Sequence, residues 1–502
     1  MKLVKISLAA ALACAAAVSV SADDAPKREL KNNMVEVYNV LPGTANSIGE
    51  AFTNGVFYGR LRANFFMWDW KSADTWDGSK GNMDNKAHGL GGSMLYKTAK
   101  YEGFSATAGL YYSGSLIDGL REDKVDVGGI KAGGDTINKN SVRATGDWQM
   151  ASLAQAYLQY DIAKTNFKLG RQIFESFLTA SNDTKMIPNT FMGFTAETKE
   201  LPKTTLRAAY LTSQKLRNHT EFHDVITSTD EAGNSWNGND DSAKHAGLTY
   251  ANLKAAGEDT ENALVIVDMR NKSIDNLQVD LTYGGVPGLI SSLTGELNYA
   301  IPMGGMTLTP GVRYMMQMDN GAGDVGGATL KGGLAASKGA LATNLGYKDR
   351  YDLDSSLSAA RLVLTDGIFK AQVGYSMIED AGDIVAPWRG FPTGGYTRAM
   401  AQYNWYANTK TTAAEVFYDF GKAKMVDGLG VLVRYAMQDF DEDKQAAGVQ
   451  ADSNVLHIDI RERFTKTLDA KIRLGFVDAD ERVAGGDKDS YNEYRFEVNY
   501  LF

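Results

Sequence analysis

Along most of this chain apolar and polar residues alternate one by one, and the alternation predicts β-strands. The last ten residues are the clearest case. Tyr494, Phe496, Val498, Tyr500 and Phe502 share one face, and Glu493, Arg495, Glu497 and Asn499 share the other. A period of two fits a pleated strand; a helix would scatter these residues around its axis. In Phe57–Met67 the residues Phe57, Leu61, Ala63, Phe65 and Met67 oppose Tyr58, Arg60, Arg62 and Asn64. The same period runs through Phe104–Tyr112, Gln155–Asp161, Glu415–Phe420, Val431–Gln438, Leu456–Arg461 and Lys471–Phe476. About sixteen to eighteen strands of spanning length, at ~9–11 residues each, fit between Val56 and Phe502.

Alternation alone also describes a soluble sandwich, whose polar faces look to water. Three features favour a barrel in a membrane. Polar loops, many of them long, separate the strands. Aromatic residues stand at strand ends, like the girdles of outer-membrane barrels. No convincing helix follows the N-terminus to cover a sheet. The predicted fold is all-β: a transmembrane antiparallel β-barrel with an even count of 16 to 18 strands, wide enough to leave an aqueous channel.

The N-terminus supports this reading. Lys2 and Lys5 precede an alanine-rich apolar stretch from Ile6 to Val20, and Val20-Ser21-Ala22 offers a small-residue cleavage site. Residues 1–22 are therefore expected to be a signal peptide, 23–55 a periplasmic segment with an amphipathic pattern at Ile48–Phe52, and 56–502 the barrel. The single cysteine, Cys14, lies inside the signal; a lipoprotein signal is the alternative, but Ala11 stands where such signals prefer leucine. Of 502 residues 44% are hydrophobic, and after the signal no long uncharged apolar run remains for a membrane helix. The net charge of −9 excludes a globally basic nucleic-acid binder, and one Cys with five His excludes cysteine-rich metal or disulfide frameworks.

Several segments, in order, resemble the outer membrane porin D (Opr) family of Gram-negative bacteria. Arg60-Leu61-Arg62-Ala63-Asn64-Phe65-Phe66 is similar to the family's first strand. Ile187-Pro188-Asn189-Thr190-Phe191-Met192-Gly193-Phe194 is similar to a stretch of its third loop. Val433-Arg434-Tyr435, Lys471-Ile472-Arg473 and Glu493-Tyr494-Arg495-Phe496 resemble its closing strands. The resemblance implies an 18-stranded porin, often a homotrimer, that passes small hydrophilic solutes by diffusion. It also implies an inward-folded third loop, here Asn182–Phe194, and a lumenal ladder of basic residues that guides small carboxylated solutes. The matched ladder positions are Arg461, Lys471, Arg473 and Arg495. The alternation independently puts all four on the polar face, since a cation on the lipid face costs about 2–4 kcal/mol at the midplane. The plainer alternative is that each merely pairs with Asp459, Glu493 or Glu497. The candidate constriction residues are Asn182, Asp183, Lys185, Asn189, Thr190, Gln402 and Tyr403. Trp405 stands where family members selective for basic amino acids carry an Asp, so that specificity is not carried over; an aromatic contact there suits other small organic acids, or no strong selectivity.

Other constellations carry less. His219 and His223 have i, i+4 spacing, but they fall in a segment that reads as a solvated loop. Asp439, Asp441, Glu442 and Asp443, and Asp478, Asp480, Asp487 and Asp489, are oxygen-rich, yet neither group has the spacing of a calcium loop. No cofactor is expected, with loop-bound calcium as the exception to test. No nucleophile–base set is visible, so an enzyme is not expected. The expected partners are the outer-membrane bilayer with its lipopolysaccharide and small solutes, without nucleic acid. A hydrophobic-compound transporter, an adhesin and a barrel hydrolase are the alternatives.

Overall fold

The computed structural model describes residues 28–30, 36–38, 42–71, 84–124, 127, 130, 133–234, 244–334, 343–400, 403–484 and 486–502. The expected signal peptide and Gln402 lie outside the described residues.

Eighteen spanning strands form one closed antiparallel meander. They are β1 (Val56–Trp70), β2 (Asn85–Lys97), β3 (Phe104–Gly114), β4 (Gln149–Ile162), β5 (Thr165–Gln172) and β6 (Thr190–Thr198). Next come β7 (Thr204–Lys215), β8 (Leu264–Asn271), β9 (Leu277–Val286), β10 (Ile290–Tyr299), β11 (Met306–Asp319) and β12 (Ser355–Thr365). The last six are β13 (Phe369–Ile378), β14 (Lys410–Asp419), β15 (Leu429–Asp439), β16 (Ser453–Arg463), β17 (Leu468–Ala479) and β18 (Tyr491–Leu501). A three-residue strand, Ile301–Met303, pairs with β11 just beyond β10. β18 pairs with β1 from Tyr491↔Trp70 to Leu501↔Arg60, and Gly59 and Phe502 exchange backbone hydrogen bonds, so no sheet edge is left bare at the seam.

The phase read from the sequence holds. Phe57, Phe104, Leu158, Val433 and Phe496 point outward and are exposed, whereas Tyr58, Arg60, Arg62 and Asn64 point inward. Two outward residues of β4, Leu153 and Leu158, are five apart, an odd spacing that strict alternation forbids. A bulge resolves it: Gly109 pairs with Gln155 and Leu110 with Leu153, so Ala154 is the extra residue and the phase flips there.

Short turns join strands at the end that holds Val56 and Phe502, and the long connections lie at the other end. That asymmetry is the one expected of periplasmic turns and extracellular loops. Before β1 stands a short helix, α1 (Ile48–Thr53), capped by the Ser47 side chain. Several loops fold inside the barrel. The largest buried apolar cluster includes Leu178 of the third loop, Leu248 of the fourth, Leu330 of the sixth and Trp388 and Trp405 of the seventh, with Ile266, Met315 and Leu357 of the wall. Trp405 is 0% exposed, so it is a core residue and not the solute contact its position suggested.

Candidate functional site

The third loop (173–189) leaves β5, crosses the lumen and is held by three successive inward positions of β1. Asp183 accepts hydrogen bonds from Arg60 and, at 3.0 Å, from Arg62. Arg62 also donates to Glu497 of β18 at 2.7 and 3.0 Å. Asn64 donates to the carbonyls of Lys185 (2.9 Å) and Thr184 (3.3 Å). Asn182 precedes this contact with φ 40°, a left-handed conformation that Asn tolerates better than most residues. The loop ends sooner than expected: Thr190 opens β6, and Gly193 sits at a bulge where Met192 pairs with Ser213 and Gly193 with Leu211.

Three other loops brace this crossing. Arg217 of the fourth loop donates to the Asn182 carbonyl (3.1 Å) and to Thr184 Oγ1 (2.8 Å), and also bonds Asp135 of the second loop. Arg389 of the seventh loop bonds Asp135 as well, at 3.3 Å. Lys215 Nζ donates to the Pro188 carbonyl at 2.9 Å. The third and seventh loops run side by side: Gly390 N donates to Leu178 O and Ala180 N to Trp388 O. A Cβ at Gly390 would lie 2.2 Å from the Leu178 carbonyl carbon, so only glycine allows that approach.

Of the candidate constriction residues, Asn182, Asp183, Lys185, Asn189 and Thr190 are all buried within this contact. The Lys185 ammonium stands 4.2 Å from the centre of the Phe66 ring, and the Arg495 guanidinium stands 5.7 Å from the same centre. Burial, helped by Arg495, pushes the Lys185 ammonium down to about 7. Tyr403 packs against the lumenal core, its ring 5.0 Å from that of Trp405.

The four ladder positions stand on consecutive strands. Arg461 faces Lys471 across β16 and β17, and Arg473 faces Arg495 across β17 and β18. They lie on the face opposite the outward Ile472 and Phe496. Asp459 takes two hydrogen bonds of 3.0 Å from Arg473, lies 3.3 Å from Lys471 and 2.7 Å from His457. Arg495 bonds Glu493 at 2.5 Å.

The same arrangement continues around the wall, beyond the positions read from the sequence. Glu415 bonds Lys370 (2.8 Å) and Arg434. Glu296 bonds Arg313 (2.5 Å) and Arg361 (3.2 Å). Thus Glu296, Glu415 and Asp459 each bridge two basic side chains. The seventh loop lies along them: Arg313 donates to the carbonyls of Pro392 and Gly394, Arg361 to Gly395, and Arg434 to Arg398. These cations therefore both line the lumen and hold a loop inside it. Alternation alone puts Arg313, Arg361 and Arg434 on the inner face; their shared carboxylates emerge only from the strand register.

The loop features behave differently. His219 and His223 are buried rather than solvated, with His219 Nδ1 3.3 Å from His223 Nε2. His223 Nδ1 donates to the Asp224 carbonyl at 2.9 Å, and burial pushes this imidazole down to about 4. In the acidic clusters, Asp441 bonds Lys444 at 2.5 Å and Asp489 bonds Arg482 at 2.7 Å. Among the described residues, no group of three or more His, Cys, Asp or Glu side chains is placed to hold a metal ion.

Comparison with known proteins follows the same line. The family model described as outer membrane porin, OprD family, matches residues 119–502. Comparison with curated sequences gives no match. Among solved structures the fold is similar to OccAB4 of Acinetobacter baumannii, at TM-score 0.64 and 15% identity, covering 89% of this chain and 98% of that one. It is equally similar to OpdK of Pseudomonas aeruginosa, crystallised with vanillate, at TM-score 0.64 and 13% identity, covering 90% and 99%.

Proposed function

This chain belongs to the OprD family of outer membrane porins, and from that premise we propose that its lumen selects small carboxylated solutes by charge. As a member it is an integral outer-membrane β-barrel through which small molecules diffuse.

The observation that carries the selectivity is the chain of triads on β10–β17. A fully paired wall would be neutral and would guide nothing. Here each bridging carboxylate is outnumbered two to one, so a positive charge is left at Glu296 and at Glu415, and Lys471 joins Arg473 at Asp459. Arg473 and Arg434 keep about a fifth of their side-chain surface open, at 21% and 23%. A passing carboxylate exchanges with the bridging one at little cost, because the guanidinium fork is already oriented. A narrow channel lined by one sign of charge also concentrates the opposite ion. The vanillate in the OpdK crystal, an aromatic carboxylate, agrees with this reading. The constriction role of Asn182, Asp183 and Lys185 belongs to the same reading, supported by their anchorage to β1.

On the family resemblance alone, the reading extends to lipopolysaccharide around the outer rim, to a homotrimer, and to a channel without catalytic activity. Liposome swelling tests the selectivity. Proteoliposomes should swell faster in sodium benzoate or acetate than in neutral sugars or cationic amino acids of similar size. Equal rates for all solutes would leave the protein an unselective pore.

A further inference from the structure

Beneath the third loop, on the periplasmic half of β1–β7, a cavity of about 380 Å³ opens in the inner wall. That volume lies within the range of small-molecule sites. It is separate from the triads, which line β10–β17. Its aromatic lining is Tyr58, Tyr111, Tyr157 and Phe174, and its two lysines are Lys97 and Lys168.

The lysines distinguish it. Lys97 is the last residue of β2, and its register runs through Thr107 to Tyr157. Lys168 of β5 places its ammonium 5.2 Å from the centre of the same Tyr157 ring. Neither lysine has a carboxylate partner among the described residues. Three of the acids around them are engaged by other cations. Asp183 is held by Arg60 and Arg62. Glu197 pairs with Lys199 at 2.6 Å, whereas Glu175 accepts from Ser181 Oγ at 2.8 Å and keeps its negative charge. Asp161, beside Lys97, is bonded by Lys100 (2.7 Å), Gln159 and Asn166. Counting Glu175 against them, the two ammonium groups beside Tyr157 leave the partly buried cavity with one positive charge in excess, and an anion would match it.

We propose that Lys97, Lys168 and Tyr157 form a binding station for small aromatic monocarboxylates on the periplasmic side of the third loop. The solute carboxylate lies between the two ammonium groups, and its ring packs on Tyr157 and Phe174. The proposal rests on the porin reading and adds a site that holds the solute after it passes the constriction.

The test uses the full-length protein in planar bilayers, oriented by its response to one-sided addition, with benzoate, acetate and benzamide as probes. Benzoate added on the periplasmic side should produce resolvable current blockades. The double variant Lys97→Gln/Lys168→Gln should weaken its apparent association about tenfold while changing that of benzamide less than twofold. Tyr157→Leu should weaken benzoate more than acetate. The double variant Lys97→Arg/Lys168→Arg should restore the blockades. Heat-modifiable migration on gels checks that each variant forms the barrel, and single substitutions carry the same comparison if a double variant does not assemble. Unchanged benzoate blockade in the Gln variant overturns the station. So does an equal loss for benzoate and acetate in Tyr157→Leu, which would leave only general electrostatics. Failure of wild-type liposomes to admit benzoate at all would instead overturn the porin reading beneath it.

Discussion

Asp183→Asn tests how the third loop is held in the lumen. Asp183 is 3% exposed and joins Arg60 and Arg62, which are just as buried. Arg62 retains Glu497 after the substitution, but the ion pair between Arg60 and Asp183 is lost. Removing one partner of a buried ion pair costs about 3–5 kcal/mol, because a guanidinium held out of water loses a counter-charge. The loop can escape this cost only by leaving β1. At ~1.4 kcal/mol per tenfold, 3 kcal/mol multiplies the detached population by about a hundred. A detached state occupying about 0.1% of the time would then occupy about a tenth. In single-channel recordings this appears as bursts of higher conductance that wild-type channels lack, and Asp183→Glu should suppress them. A conductance histogram identical to wild type, in a variant shown to form the barrel, would refute the idea that this ion pair holds the constriction.

Other expectations follow from the same geometry. Removing a bridging carboxylate by Glu415→Gln should raise the anion-to-cation permeability ratio, whereas Lys471→Gln/Arg473→Gln should lower it, both most clearly at low salt, where a Debye length of ~30 Å leaves wall charges poorly screened; reversal potentials read both. Lys185, pushed down to about 7, is charged below that pH and neutral above it, so anion preference should fall as the pH rises from 6 to 8, and Lys185→Met should weaken that dependence. The buried His223 and His245 are both pushed down to about 4. In the unfolded loops they would take up protons from about pH 6.5 downward, so loop stability present above that pH should be lost as it falls toward 4. Limited proteolysis across this range should show cleavage beside His223 and His245 appearing on acidification.

Much of the barrel was legible in the alternation because lipid and water impose opposite demands on successive residues. Phe57, Leu158 and Phe496 could only face outward, and Arg60, Arg473 and Arg495 only inward. The inner loops were less legible. Nothing in the periodicity of Gly390 or Trp405 says that the seventh loop turns inward and buries them; only its packing against Leu178 and the wall does. The His219–His223 pair misled for the same reason, since a loop folded into a barrel is not a solvated loop. The triads lay in between: Arg313, Arg361 and Arg434 carry the inward phase, but their sharing of Glu296 and Glu415 depends on which strands pair and in what register.

The central claim is that the lumen is a positively biased channel although the protein is acidic overall. The zero-current potential across a planar bilayer containing the purified protein, under a tenfold KCl gradient, tests it most directly. If the triads leave a positive wall, chloride crosses ahead of potassium and the dilute compartment becomes negative, more so as both salt concentrations are lowered together. A dilute compartment that becomes positive, or a potential indistinguishable from zero at every salt concentration, would contradict the account.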